Sequence, residues 1–293
     1  ALLEDRGELD DAARHLRRAF ELAPTNAEIA ARIAHVEEQL GRHVVASDLW
    51  ERARSLDPGH AVANARLAER LAATDATRAE TLARRAVAIA PRSAFARRAL
   101  ATVLVLSGRR AEGRAEIEKA LSIAPDDPRT WELRGIAAFA DGAHEDARRA
   151  FERTLALDES AAGAHLHLAM LADLRGDVRE ALAGYERALE IEPGQAVAAN
   201  NLADALRRTG GDLQRARALA EQAVTLSNGR AQMLDTLGAV LLALGDPGAA
   251  CSTLQRAVSK APDELAIRFR LAQALVAAGR PIEGRREIGR AHV

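Results

Sequence analysis

Prolines recur along this chain at a nearly constant interval, and that period constrains the fold more than any other feature. Pro24, Pro58, Pro91, Pro125, Pro193 and Pro262 each follow an apolar run that favours helix. The first three gaps are 34, 33 and 34 residues, and the next two are 68 and 69, with Glu159 and Asn228 near their midpoints. A period of this size marks a repeat architecture, in which one helical hairpin stacks on the next. One residue is missing from the series within residues 71–80 and one is added within 206–216. Both changes fall between the two helices of a hairpin, where a turn absorbs them without shifting either helical register.

Inside each period the side chains follow a constant size pattern. The eighth position is small: Ala34, Ala68, Ala101, Gly135, Ala169, Ala203, Gly238 and Ala272. The twentieth is small as well: Ala46, Ala79, Gly113, Ala147, Ala181, Ala216, Ala250 and Gly284. The twenty-fourth is mostly bulky: Trp50, Ala83, Ile117, Phe151, Tyr185, Ala220, Leu254 and Ile288. Small residues on facing helices permit close approach, and a bulky one fills the space toward the next hairpin. Proline ends the second helix because it disfavours helix at the residue before it.

This pattern resembles the tetratricopeptide repeat family across residues 1–293. Trp131 and Gly135 in "TWELRG" are similar to that family's W-x-x-x-G helix opening. The resemblance implies an all-α fold, an α-solenoid wound as a right-handed superhelix of about eight to nine hairpins. It would form one domain over 1–293, with a partial unit at 1 and further units from 27, 61, 94, 128, 162, 196, 231 and 265. The abrupt start at Ala1 and the lack of a polar capping helix before Val293 read as a piece of a longer protein. A further domain or partner over the end is the competing reading.

Composition excludes several function classes. The net charge is −1, with 41 basic and 42 acidic residues, and no basic stripe is apparent, so no nucleic-acid partner is expected. No apolar stretch is long enough to insert in a membrane; the nearest, 236–255, contains Asp246 and Pro247. The single cysteine, Cys251, permits no intrachain disulfide, and a bacterial cytoplasm or periplasm is equally compatible. His165 and His167 point about 200° apart on a helix and cannot readily share a metal. Neither a phosphate-binding glycine loop nor a nucleophile–base pair is present. An enzyme, a cofactor and a metal are therefore not expected in this segment.

The family resemblance implies a concave groove lined by positions 2, 5, 6, 9, 12 and 13 of each first helix. In units 27 to 93 this places Ala31, Arg32, His35, Glu38, Ala65, Arg66 and Glu69 there, small and polar enough to be simply solvated. In units 94 to 195 the positions turn apolar, with Phe95, Val105, Ile136, Phe139, Leu166 and Met170 among Arg98, Arg129, Glu132 and Asp173. Those apolar residues are either a contact surface or core. In units 196 to 264 polar residues converge: Asn200, Asn201, Asp204, Arg207, Asp235 and Thr236. Several peptide-binding members of that family use an Asn at position 6 to bond the ligand backbone, a role the resemblance implies for Asn201, while Asp204 and Asp235 would favour a basic segment. The Lys/Asn clamp of chaperone-binding members is not matched.

Residues 199–246 also resemble the C-terminal repeats of bacterial exopolysaccharide-associated members, through "NNLA" and "DTLG". The expected function is a non-catalytic scaffold that binds a partner protein or extended peptide, with a role in exopolysaccharide assembly or export implied by that resemblance. The alternatives are a self-assembling scaffold joined through uncapped ends, or the regulatory region of an enzyme whose catalytic domain lies outside this chain.

Overall fold

The computed structural model describes residues 2–290, with side chains described from 7 to 289. Those residues form seventeen α-helices and no strand. They gather into two compact units, one through Ala150 and one from Phe151. The first unit holds α1 (Leu2–Leu22), α2 (Ala27–Gln39), α3 (His43–Leu56), α4 (Ala61–Leu71), α5 (Ala76–Ile89), α6 (Ala94–Leu106), α7 (Arg110–Ile123) and α8 (Pro128–Ala140). Helix α9 (His144–Leu157) carries the boundary. The second unit continues with α10 (Ala162–Arg175), α11 (Val178–Ile191), α12 (Ala196–Arg208), α13 (Leu213–Leu226), α14 (Ala231–Ala243), α15 (Pro247–Lys260), α16 (Leu265–Ala277) and α17 (Pro281–Arg290). Even-numbered helices from α2 onward are the first helices of hairpins, called A helices below. They begin at the eight positions that the period marks.

The length changes sit where the period puts them. Helix α4 has 11 residues against 13 in α2, which absorbs the deletion. The insertion lies in the four-residue turn 209–212, against three residues at 107–109. These turns carry a left-handed residue that a glycine supplies cheaply, as at Gly108 (φ +77°) and Gly142 (φ +74°).

Each periodic proline leaves a geometric trace. The residue before it takes an extended backbone, as at Asp57 (φ −132°, ψ 95°) and Ala124 (φ −132°, ψ 83°), because the proline ring crowds any helical alternative. Where Asn228 replaces proline, Ser227 stays near helical (φ −90°, ψ 3°) and Asn228 itself turns left-handed (φ +53°). The carbonyl at the proline position is then captured by a side-chain donor. Asn64 donates to Pro58 (3.1 Å), Arg97 to Pro91 (2.9 Å), Trp131 to Pro125 (2.7 Å) and Arg268 to Pro262 (2.6 Å), each from the fourth position of the following A helix. His165 does the same for Glu159 through Nε2 (3.1 Å), which must carry the proton because a carbonyl only accepts. Where the fourth position is alanine, a residue of the second helix substitutes: Arg52 for Pro24 (3.4 Å) and Gln222 for Pro193 (2.9 Å). The donor's chemistry varies while a side-chain donor recurs at each of these turns.

The small positions are closed. Every alanine at positions 8 and 20 is at most 2% exposed. A Cβ on Gly113 would lie 2.7 Å from Val105 Cγ2, and one on Gly238 would lie 2.5 Å from Leu254 Cγ. Of the bulky twenty-fourth residues, Trp50, Ile117, Phe151, Tyr185 and Leu254 are at most 2% exposed, whereas Ile288 in α17 is 39% exposed. Gap filling thus holds for the interior hairpins and not for the last described one. Cys251 is buried and free, a packing residue of α15.

In the second unit the His167 ring stacks on Phe151 (4.8 Å between centroids, 14° between planes) and bonds the Gly163 carbonyl through Nδ1 (2.7 Å). Burial pushes the imidazole below its ordinary range, outweighing the opposite pull of that bond.

Three outcomes are expected. Gly238→Ala gains about 1 kcal/mol in helix propensity but loses about 1–3 kcal/mol to overpacking against Leu254, so urea unfolding should give a lower midpoint. Asn64→Ala should destabilise by about 1–3 kcal/mol, since two carbonyls lose a fully buried donor, whereas Arg52→Ala at the exposed equivalent should cost under about 0.5 kcal/mol. The unfolded chain protonates His167 more readily than the folded one. Thermal stability should therefore fall as pH drops through about 6.5 toward the lower folded value, and His167→Phe should flatten that slope.

Candidate partner-binding surfaces

In the first unit a ladder of charges links successive A helices. Glu38 of α2 accepts from Trp50 Nε1 (2.9 Å) and faces Arg66 of α4 (3.6 Å). Arg66 also meets Glu69 (3.5 Å), which meets Arg98 of α6 (3.4 Å), which in turn reaches Asp127 before α8 (2.8 Å). Burial would raise the Asp127 carboxyl. Hydrogen bonds from Thr130 and Arg98, with the Arg98 charge, outweigh it and hold the group below its usual range. The guanidiniums of Arg66 and Arg98 both lie over the Phe95 ring, at 4.7 and 5.1 Å. This geometry changes two sequence expectations. Arg98 is only 8% exposed and spent on internal ion pairs, so it is a strut of the wall. Phe95 is half-buried, with two cations on its ring.

The other expected residues of this unit divide. Arg129 is exposed and has no ion pair among the described residues. Ile136 is half-buried. Glu132 is half-buried and engaged by neighbours, and Phe139 packs edge-on against His144 (5.9 Å, 60°). Val105 is core.

A cleft of about 470 Å³ opens where the sequence suggested only solvated polar residues. Its walls include Val36, Val62, Phe95, Arg32 and His60. It shares His35 and Arg66 with a second hollow of about 410 Å³ that reaches Gln39, His43, Arg70 and Arg129. Its apolar residues come from α1 (Leu16), α2, α3 (Trp50), α4 and α6, so no single repeat displays them. Of Val36, Val62 and Phe95, only Phe95 is placed on the groove by the sequence; Val62, at groove position 2, is 44% exposed.

In the second unit, Leu166 is core at 8% exposed and is withdrawn from the contact surface; it packs with Leu202 and Tyr185 in one cluster. Its fifth-position site faces the next A helix rather than water. Met170 is half-buried at the edge of that cluster. Asn200 donates to Asn201 Oδ1 (3.3 Å), and the Asn201 side chain hydrogen-bonds the Tyr185 hydroxyl. Burial, with the nearby Asp173 charge, pushes that hydroxyl up to about 12, so it stays neutral. Three side-chain oxygens remain buried without a donor, Gln195 Oε1 at the cap of α12 together with Asn200 Oδ1 and Asp235 Oδ1, the last two on the fifth residues of consecutive A helices. Asp204 is bound by Arg207 (2.8 Å) and Arg208 (3.0 Å), and Arg208 also grips Asp173 (2.6 Å). Asp235 pairs with Arg270. The negative charge expected to draw a basic segment is therefore already compensated. Thr236 is buried.

Among the described residues no group of His, Cys, Asp and Glu is arranged to hold a metal ion, and no helix is long and apolar enough to cross a membrane.

Comparison with known proteins follows the same lines. One tetratricopeptide repeat model matches residues 2–61, 132–196 and 175–231, a second matches 70–136, and a third matches 231–274. A Pseudomonas putida protein described as the probable biofilm formation methyltransferase WspC is 41% identical over 92 residues. That match covers 31% of this chain and 22% of the relative, so the chain matches about a fifth of that protein's length. Among solved structures, the APC/C hetero-tetramer Cut9–Hcn1 aligns with a TM-score of 0.79 at 15% identity, over 97% of this chain and 56% of that one. Pseudomonas aeruginosa pilF aligns at 0.62 and 19% identity, over 73% of this chain and 97% of that one. Yeast Tom70 aligns at 0.56 and 16% identity, over 96% of this chain and 60% of that one. Identities this low speak to the fold alone. With family models covering more than half of it, and hairpins beginning at every expected position, the chain belongs to the tetratricopeptide repeat family.

Proposed function

We propose that this chain is a protein-interaction scaffold whose second unit holds an extended partner segment across α12 and α14. The family's repeats serve protein contacts. The observation that carries the site is the pair of donorless oxygens on Asn200 and Asp235, at the same step of consecutive A helices. Folded proteins rarely leave buried acceptors unmet, so backbone N–H groups of a bound strand are the natural complement after a small side-chain rotation. Asn201, oriented by Asn200 and Tyr185, adds a group that both donates and accepts. Met170 supplies an adaptable apolar edge. Asp204 positions Arg207 and Arg208 instead of meeting the partner directly. By resemblance of the NNLA and DTLG repeats, the partner belongs to bacterial exopolysaccharide assembly or export.

A second reading has one observation behind it, the 41% identical segment in WspC. On that reading the repeats form the docking region of a larger methyltransferase, and the reading frame around this segment decides it. A flanking transferase domain supports this reading, and its absence removes it.

A site that binds at the expense of stability gives a distinctive signature. Asn200→Leu should leave the unfolding midpoint unchanged or raised, because an unpaired acceptor disappears, yet weaken capture of the partner by about tenfold. Photo-crosslinkers at Asn201 and at exposed Glu221 of α13 provide the map. Adducts from the α13 position alone would sink the assignment.

A further inference from the structure

The cleft of the first unit is charged in a lopsided way. Its carboxylates are already matched: Glu28 by Arg32 (3.0 Å) and His60 (3.4 Å), Glu38 by Trp50 and Arg66, and Glu69 by Arg66 and Arg98. Its outer cations are not. Arg129 has no ion pair among the described residues, and Arg70 meets only the Ser47 hydroxyl. His35 stands between the two hollows without a side-chain partner. Beside this cationic hollow lies the apolar floor of Val36, the 44% exposed Val62 and the edge of Phe95.

We infer that this groove binds an acidic, aliphatic-bearing segment of a partner protein, its apolar side chain against Val36, Val62 and Phe95 and its carboxylates toward Arg70 and Arg129. Charge complementarity selects the occupant. Two unmatched guanidiniums suit planar carboxylates, which arginine binds bidentately. A nucleic acid could use the two cations but has no aliphatic side chain for the floor of Val36 and Val62, so half of the surface would stay unmatched. A basic segment would find every acidic group already engaged. The arrangement needs no Lys/Asn clamp and no free chain terminus. It rests on the reading of the chain as an interaction module but uses a surface separate from the Asn201 site, so the two stand or fall apart.

Fluorescence anisotropy on the whole chain tests it with three labelled peptides: alternating Glu and Leu, alternating Lys and Leu, and alternating Glu and Ser. The Glu/Leu peptide should bind, the other two about tenfold more weakly or worse, and added salt should loosen the complex. Arg70→Glu and Arg129→Glu should each weaken the Glu/Leu peptide by about tenfold, and Val62→Asp should do likewise, with unfolding midpoints kept because all three side chains are exposed. Asn201→Ala should leave this affinity unchanged. No binding of the Glu/Leu peptide, equal binding of the Lys/Leu peptide, or indifference to both charge reversals overturns the proposal. Equal competition by oligo-dT would reassign the groove to nucleic acid. Loss on Asn201→Ala would move the peptide to the second unit, leaving the scaffold reading intact and this one refuted.

Discussion

The contact between two small residues, the eighth and the twentieth of each hairpin, sets the spacing on which the rest depends. Alanines at these positions are at most 2% exposed, and a Cβ added at Gly284, a twentieth residue, would lie 3.0 Å from the carbonyl oxygen of Ala272, the eighth of the same hairpin. Helices that approach this closely leave little apolar bulk within one hairpin. The hairpin therefore lacks enough core of its own and must bury its faces against a neighbour. The twenty-fourth residue performs that burial. It can be Trp50, Phe151 or Tyr185 because the space lies between hairpins, where size is less constrained than at the small contact.

The turn between hairpins follows the same logic of fixed demand and free supply. A proline removes one N–H and forces its predecessor out of the helix, and the carbonyl at that position of the turn receives a side-chain donor. Asparagine, arginine, tryptophan, histidine and glutamine all meet that demand at different repeats. Trp131, which resembles a family signature, is thus one of several interchangeable donors here. Asn228 shows the alternative: without proline the preceding residue remains near helical, and the bend moves one residue on.

Rigid stacking of this kind displays side chains from successive A helices side by side, which is what a groove requires. The two units use the display differently. The second assembles amides and donorless oxygens, with its acidic groups compensated by Arg207, Arg208 and Arg270. The first assembles an apolar floor beside unmatched cations. Its wall is held by the Glu38–Arg66–Glu69–Arg98–Asp127 ladder, in which Arg98 is nearly closed to water.

What the residue order determined by itself was everything that repeats. Helix starts, the small contacts and the proline bends were all legible because each recurs along the chain under one local steric rule, and the single deletion and single insertion were legible as breaks in that period. Asn200 and Asn201 were legible as a polar group because they are adjacent on one helix. What only the tertiary structure decided was accessibility and charge balance. Leu166 and Met170 look alike as groove residues, yet one packs under the next helix and the other stays at the edge. Asp204 and Asp235 look like bait for a basic partner, yet arginines three to 35 residues away neutralise them. Of the cleft of Val36, Val62 and Phe95 only Phe95 was legible, for the same reason. Those three residues come from three hairpins, and a repeat pattern describes what each hairpin shares, whereas a binding surface is made from the positions where they differ.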